Sequence, residues 1–282
     1  MRAQALTDAV AGHGEGPVWD AAAGVLRWVD MLAGDVLTLE PTGAVTRSHV
    51  GDVAAAFRPR ASGGMVVAVE RGFALVDADG RVGPVHEAFS DPGVRMNDGG
   101  CDPAGRFFCG SMAYDESPGR GSLFRFDPDG TVTRVLDGLT ISNGIAWSPD
   151  GSRCVYVDTG TGRVDTFDYD VATATLSDRR PLVDVDPGHG MPDGLALDAE
   201  GGIWVALWQG GAVHRYTADG RLDAVVELPA RQVTACAFGG PDRDRLFVTT
   251  SRLGLEDAEP GAGAVFVADV GVRGAPVPAF AG

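Results

Sequence analysis

The sequence predicts an all-β protein, a six-bladed β-propeller with four-stranded blades around a central channel. A strand–turn–strand pattern recurs along the whole chain, and no segment of eleven or more residues shows a convincing helical period. The 41 Gly and 17 Pro among 282 residues suit many short strands joined by turns. Because the six repeat units account for the whole chain, we expect residues 1–282 to form a single propeller domain.

The repeat begins with a polar residue and small residues, followed by a strand, a turn of the D-P-x-G kind and a second strand. Four segments show it: EGPVWDAAAGVLRWVD from Glu15, NDGGCDPAGRFFCGSM from Asn97, NGIAWSPDGSRCVYVD from Asn143 and DGLALDAEGGIWVALW from Asp193. Two more fit loosely, VAAAFRPRASGGMVVAVE led by Ala54 and TACAFGGPDRDRLFVTTS led by Thr234. The leading residues are 39, 43, 46, 50 and 41 residues apart, a spacing typical of one propeller blade.

Later strands of the blades are predicted at GSLFRFDPDG, GRVDTFDYD, GAVHRYTADG and GAVFVADV, several of which end in Asp- and Gly-containing turns. A two-sheet sandwich is the alternative all-β fold. It would not explain six copies of one turn pattern, so the propeller is favoured.

Composition and charge exclude several classes of function. The formal net charge of −16 argues against a nucleic-acid or anionic-membrane partner, because both require a basic face. No run of about 18 apolar residues occurs, and the opening MRAQALTDAVAGHGEG lacks the apolar core of a signal peptide. We therefore expect a cytoplasmic protein with a small-molecule partner and no obligate protein partner.

The usual catalytic motifs are also missing. All 23 basic residues are Arg, and the absence of Lys excludes Schiff-base chemistry and the P-loop. No G-x-S-x-G elbow or H-E-x-x-H helix is present. Four cysteines without C-x-x-C spacing, Cys101, Cys109, Cys154 and Cys236, are expected to be buried reduced thiols.

The repeat predicts a ring of side chains at one mouth of the channel, because the first strand of each blade is innermost. The six leading positions hold Glu15, Ala54, Asn97, Asn143, Asp193 and Thr234. Each polar residue alone fits a turn or a solvated rim. Their shared phase favours a different interpretation. Two carboxylates and two amides converging in a narrow channel would require a cation, and a hard divalent ion suits such oxygen ligands.

The type of metal is only partly constrained by the ring. No Cys or His occupies it, which disfavours a structural zinc site but leaves catalytic zinc or iron(II) open. His13 and His189 flank Glu15 and Asp193 but are out of phase with the ring, so they are interpreted as ordinary loop histidines.

Five long blocks stand out along the chain: GEGPVWD at 14–20, RMNDGGCDPAGRFFCGSM at 95–112, SNGIAWSPDG at 142–151, MPDGLALDAEGGIWVALWQGG at 191–211 and the tail VTTSRLGL…GAGAVFVADVGVRGAPVPAFAG. In these blocks and in their order, nearly the whole chain resembles the family of senescence marker protein 30 (regucalcin), gluconolactonase and luciferin-regenerating enzyme.

The resemblance implies that Glu15, Asn143 and Asp193 are metal ligands and that Arg95 and Asn97 bind substrate, although Asn97 could instead contact the metal. The family's carboxylate after the GSM or GTM block falls at Asp115. The position beside it holds Tyr114, where the animal enzyme has another acid. This departure leaves the identity of the substrate open.

We therefore expect a metal-dependent lactonase that opens a small sugar lactone. The resemblance implies one divalent cation, with Ca²⁺ favoured over Zn²⁺, Mn²⁺ or Fe²⁺, that acts as a Lewis acid toward the carbonyl. Asp193 either serves as the general base or only orients the attacking water. Three alternatives stay open: a phosphotriesterase or fluorophosphate hydrolase using the same metal ring, a non-catalytic calcium-binding propeller, and a protein-interaction propeller of the WD or NHL type.

Overall fold

Short apolar strands separated by Gly- and Asp-containing turns pair into six antiparallel sheets of four strands each. The computed structural model describes residues 1–282. The first strands of the sheets contact one another in a closed cycle, so the six sheets form a ring of blades. The predicted six-bladed β-propeller is confirmed.

The strands follow one another from the channel outward within each blade. Blade 1 consists of β2 (Gly14–Asp20), β3 (Val25–Asp30), β4 (Asp35–Leu39) and β5 (Val45–His49). Blade 2 consists of β6 (Ala54–Pro59), β7 (Met65–Val69), β8 (Gly72–Val76) and β9 (His86–Glu87). Blade 3 consists of β10 (Val94–Cys101), β11 (Phe107–Ala113), β12 (Gly121–Phe126) and β13 (Val132–Leu139). Blades 4 and 5 consist of β14 (Ser142–Trp147), β15 (Arg153–Asp158), β16 (Arg163–Asp170) and β17 (Thr175–Asp184); and β18 (Met191–Leu197), β19 (Ile203–Trp208), β20 (Ala212–Tyr216) and β21 (Leu222–Glu227).

Blade 6 is closed by the N-terminus of the chain. It contains β22 (Val233–Gly239), β23 (Arg245–Thr250), β24 (Val265–Asp269) and, as its outermost strand, β1 (Gln4–Ala5). Gln4 pairs with Val267 and Ala5 with Phe266. This joins the two ends of the chain in one sheet, which the repeat did not predict because a two-residue strand has no recognisable pattern.

A C-terminal strap, residues 274–282, crosses the propeller from blade 6 toward blades 5, 2 and 3. Ala275 N donates to the carbonyl of Leu197 in blade 5, and Phe280 N donates to the carbonyl of Pro59 in blade 2, each at 2.9 Å. Phe280 is buried and stacks on Phe126 of blade 3, with ring centroids 5.4 Å apart. The strap therefore links blades that are distant in sequence.

The core lies between neighbouring blades, and its largest cluster has 25 buried residues. All four cysteines are buried and free, as the sequence predicted. Helical structure is limited to three short 3₁₀ turns, Met31–Ala33, Thr159–Thr161 and Pro187–His189. None of them has the length or the apolar character needed to span a membrane.

Candidate active site in the central channel

Every innermost strand carries a β-bulge at its predicted ring residue. The pairing register shifts between Glu15 and Val18, Ala54 and Ala56, Met96 and Gly99, Ser142 and Ile145, Pro192 and Leu195, and Val233 and Ala235. A bulge twists the strand locally and redirects side chains. The ring residues consequently stand inside the strands, not always at their first position as the repeat suggested; Asn97, for example, is the fourth residue of β10.

Hydrogen bonds fix the orientation of the Asn143 side chain. Its Nδ2 donates to Thr159 Oγ1 at 2.7 Å, and Thr159 Oγ1 in turn donates to the carbonyl of Pro192 at 2.7 Å. Because the single hydroxyl proton of Thr159 is used in that second bond, the hydroxyl can only accept from Asn143. The amide nitrogen of Asn143 therefore faces Thr159, and its Oδ1 faces Asn97.

Asn97 joins Asn143 to Arg95. Asn97 Nδ2 donates to Asn143 Oδ1 and to the carbonyl of Ser142, each at 2.9 Å, and Arg95 Nη1 donates to Asn97 Oδ1 at 2.6 Å. The structure thus brings Arg95, Asn97 and Asn143 into one buried network. Since Asn97 uses its oxygen for Arg95 and its nitrogen for Asn143, it links the predicted substrate and metal residues.

Glu15 and Asp193 are the two buried carboxylates of the ring. Burial and repulsion from Asp98 raise the pKa of Glu15 to about 8. Burial and repulsion from Glu15 and Asp98 raise the pKa of Asp193 well above its ordinary value. Asp193 Oδ1 is buried without a hydrogen-bond partner, whereas Glu15 Oε2 accepts from the backbone N–H of Gly16 at 3.0 Å. The two side chains are close enough for their negative charges to interact unfavourably.

These residues fit a hard divalent cation. The unpartnered Oδ1 of Asp193, the carboxyl of Glu15 with its raised pKa and the Oδ1 of Asn143 form an oxygen-only donor set. No group of three His, Cys, Asp or Glu side chains is arranged to hold a metal ion without other ligands. The candidate set has only two acids, so the amide of Asn143 is its third protein donor.

The other two ring positions do not contribute donors. Ala54 is buried and apolar. The Thr234 hydroxyl donates to the carbonyl of Gly14 at 2.6 Å and lies within hydrogen-bond distance of Thr249 Oγ1, at 2.9 Å, so it stabilises the junction of blades 6 and 1.

Arg95 lies at the edge of the ring without an ion pair. It is 6% exposed, and burial lowers the pKa of its guanidinium, which nonetheless stays charged. Its Nη1 also lies 3.1 Å from Met31 Sδ, and its guanidinium is 5.9 Å from the ring centre of Tyr114. The Tyr114 hydroxyl donates to Glu70 Oε1 at 2.7 Å. Tyr114 and Glu70 thus form a polar rim beside Arg95.

The structure does not bring Asp115 to the ring. Its side chain is 65% exposed, accepts a hydrogen bond from Ser117 N and lies 3.9 Å from Arg120. The turn after β11 carries Asp115 into solvent, while the neighbouring Tyr114 faces Arg95. The acid that family resemblance placed near the substrate is therefore on the surface here.

The two flanking histidines differ from each other. His13 is buried, shares a hydrogen bond with Ser251 Oγ at 2.8 Å and meets Trp208 edge to face, with ring centroids 6.0 Å apart. His189 lies in the 3₁₀ turn Pro187–His189 and is exposed. His13 is thus part of the packed wall of the channel mouth, whereas His189 lies in a surface turn.

Asp98 is the residue that sequence reasoning missed. Strict strand alternation would turn it away from Asn97, but the bulge in β10 places both near the channel. Asp98 is buried and close enough to raise the pKa of Glu15 and of Asp193, and burial raises its own pKa. The N-D-G-G sequence was the only available signal, and it reads equally well as a turn.

Comparisons with known proteins identify the family to which the chain belongs. The family model described as SMP-30/Gluconolactonase/LRE-like region matches residues 13–252. Regucalcin of Danio rerio is 38% identical over 284 residues and 95% of each chain, and pentonolactonase XacC of Haloferax volcanii is 37% identical over 287 residues, 98% of this chain and 97% of XacC. The crystal structure of a calcium-binding protein, regucalcin, from Agrobacterium tumefaciens has a TM-score of 0.93 at 33% identity, covering 99% of this chain and 97% of that chain. The chain belongs to the SMP-30/gluconolactonase/LRE-like family.

Proposed function

We propose that this protein is a metal-dependent lactonase that hydrolyses a small sugar lactone, an aldonolactone, to the open-chain acid. The observation that carries the proposal is the buried, unpartnered Oδ1 of Asp193 beside the carboxyl of Glu15, an arrangement that a bound cation would stabilise. The full-length similarity to a pentonolactonase supports the lactone as substrate class.

Glu15, Asn143 and Asp193 would hold the cation. When bound, a divalent ion supplies Lewis-acid polarisation of the lactone carbonyl. Ca²⁺ is the first choice because all three donors are oxygens and because the Agrobacterium relative is described as a calcium-binding protein. Zn²⁺, Mn²⁺ and Fe²⁺ are the alternatives to be tested beside it.

The protein's own groups supply positioning and proton transfer. Arg95 presents a rigid fork of donors to the hydroxyls of the substrate, and Asn97 holds that fork in place. The carboxylate of Asp193 accepts the proton of the attacking water as the oxygen of that water bonds to the carbonyl carbon. The bond between that carbon and the ring oxygen then breaks, and the ring oxygen takes up the proton. One water is consumed, and one hydroxy acid is formed.

The rim favours a polyhydroxylated substrate. Arg95 offers donors, Glu70 offers a carboxylate, and the 46% exposed Tyr114 between them presents an aromatic face. Sugar hydroxyls can both donate and accept, so they suit such a mixed surface better than an apolar phosphotriester does.

The test is a substrate panel assayed with the calcium-loaded protein. Acid release from pentono- and hexonolactones is compared with hydrolysis of an aryl phosphotriester and a fluorophosphate, each against the enzyme-free rate. The proposal predicts that at least one aldonolactone has the highest kcat/KM. Preference for the phosphorus esters would instead indicate a phosphotriesterase. Calcium binding without any hydrolysis would indicate a non-catalytic calcium-binding propeller.

A further inference from the structure

A second cavity, here called the lower cavity, lies farther along the channel than the ring of Glu15, Asn97, Asn143 and Asp193. Its volume is about 570 Å³, within the range of small-molecule sites, and none of those four residues lines it. Its walls come from residues that follow the ring residues in the same inner strands. The lining residues nearest the ring, Pro17, Ile145 and Leu195, follow Glu15, Asn143 and Asp193 by two positions, which is roughly 7 Å of extended chain. The cavity therefore adjoins the candidate active site but is separate from it.

The lower cavity exists because one repeat position is small in four consecutive blades. The third residue after each ring position is Gly100, Ala146, Ala196 and Ala237 in blades 3 to 6. The three alanines line the cavity and are only partly buried, whereas the Ala54–Ala56 run of blade 2 is fully buried. A larger side chain at this position would occupy the space.

The lining is positively charged in a strongly acidic protein. Arg58 and Arg243 line the cavity and no Asp or Glu does, although the chain has a net charge of −16. Arg58 donates to the carbonyls of Phe57 and Gly99, each at 2.6 Å, and Arg243 to the carbonyl of Gly274 at 3.2 Å.

Arg58 retains unused bonding capacity. Its charge is felt by Asp98, but Asp98 does not line the cavity. Arg58 Nε is buried without an acceptor, and so is Nε1 of Trp147, a lining residue that is 8% exposed. Arg58 donates hydrogen bonds only to carbonyls and forms no ion pair, so an anion that reaches it is stabilised despite the nearby Asp98.

The rest of the lining is apolar. Trp19, Trp147 and Phe238 form part of the walls, and the strap residues Ala275–Pro278 cover them. Between its anchors at Ala275 and Phe280 the strap forms no backbone hydrogen bonds, and Pro276 and Pro278 have no N–H to donate. Backbone hydrogen bonds therefore do not hold this part of the strap against the cavity.

We propose that the lower cavity binds a small monocarboxylate with an apolar body, such as a medium-chain fatty acid. The carboxylate accepts hydrogen bonds from the guanidinium of Arg58, and the apolar body packs against Trp19, Trp147 and Phe238 beneath the strap. This binding is independent of lactone hydrolysis and of the cation in the ring.

Octanoate is the probe, and its binding is measured by isothermal titration calorimetry and by intrinsic tryptophan fluorescence, to which Trp19 and Trp147 in the cavity wall contribute. The wild-type protein is expected to bind one octanoate saturably, with and without prior removal of metal. Octanol, which has the same chain and no charge, should bind about tenfold or more weakly. This comparison requires no variant, so it holds even if a substitution disturbs folding.

Two variants locate the site. Ala196→Phe fills the cavity and should abolish binding of both probes, whereas Ala172→Phe, in an exposed turn, should leave binding unchanged. Arg58→Gln should weaken octanoate binding about tenfold and leave octanol binding unchanged. The proposal is overturned if octanoate does not bind saturably, if it binds no better than octanol, or if binding survives Ala196→Phe. It is also overturned if removal of metal abolishes octanoate binding, since that result would place the probe at the ring.

Discussion

The Thr159 hydroxyl accepts a hydrogen bond from Asn143 Nδ2 at 2.7 Å and donates a hydrogen bond to the carbonyl of Pro192. The carbonyl of Pro192 belongs to the residue before Asp193, so one hydroxyl connects the inner strands of blades 4 and 5. It also determines which end of the Asn143 amide faces the channel. Thr159 is therefore the residue through which the scaffold orients a candidate metal ligand.

Thr159→Val should weaken cation binding by about ten- to a hundredfold, because the Asn143 amide loses the partner that fixes its orientation. Thr159→Ser keeps the hydroxyl and should stay within a few-fold of wild type. Calorimetric titration with Ca²⁺ measures both. Equal affinities for the Val and Ser variants would mean that Thr159 does not orient the ligand.

Asp193→Ala should abolish both cation binding and lactone hydrolysis while the propeller remains folded, because the side chain serves the channel and not the packing of blades. Asp184→Ala, which removes an exposed acid from blade 4, is the control and should change neither. The far-ultraviolet circular dichroism spectrum and the melting temperature confirm folding. Retention of more than a small fraction of the wild-type kcat would contradict the assignment.

Arg95→Ala should separate substrate binding from metal binding. Loss of a charge-assisted hydrogen bond, about 1.5–3 kcal/mol, lowers kcat/KM by about ten- to a hundredfold, while the Ca²⁺ affinity should stay within a few-fold of wild type. Arg81→Ala, at an exposed arginine without an ion pair, should leave both unchanged. Loss of the metal in Arg95→Ala would instead make Arg95 part of the cation site.

The metal-free protein should lose stability as pH rises. The pKa of Glu15 is raised to about 8 in the folded state from an ordinary value of 4.5, so between these values the carboxyl is protonated when folded and ionised when unfolded. The unfolded state then binds fewer protons at this site. The free energy of unfolding should therefore fall between pH 6.5 and pH 8, above the range in which the buried His13 and His214 oppose the trend. Added Ca²⁺, which binds the ionised carboxylates, should raise the melting temperature more at pH 8 than at pH 6.5.

Glu15→Gln should flatten this pH dependence, since an amide does not titrate, whereas Glu256→Gln at an exposed position should leave it intact. Melting temperatures after dialysis against EDTA provide the measurement. If wild type and Glu15→Gln show the same change in melting temperature between the two pH values, Glu15 is not held in the protonated form.

The sequence predicted the fold and the ring because both follow from a repeat. Six copies of one turn pattern placed Glu15, Asn143 and Asp193 in the same phase, and the structure brings them to one channel. Asp98 was missed because a bulge breaks the alternation on which strand patterns depend. The surface position of Asp115 was missed because resemblance transfers residue types but not the direction of a turn.

The central claim is that a cation in this ring makes the protein a lactonase, and one measurement tests it most directly. The rate of aldonolactone hydrolysis is determined for the metal-stripped protein before and after one equivalent of Ca²⁺, Zn²⁺, Mn²⁺ or Fe²⁺ is returned, with the spontaneous rate subtracted. We expect hydrolysis to fall to the spontaneous rate when metal is removed and to recover with at least one of these ions. Undiminished hydrolysis by the stripped protein, with metal loss verified by mass spectrometry, would contradict the account.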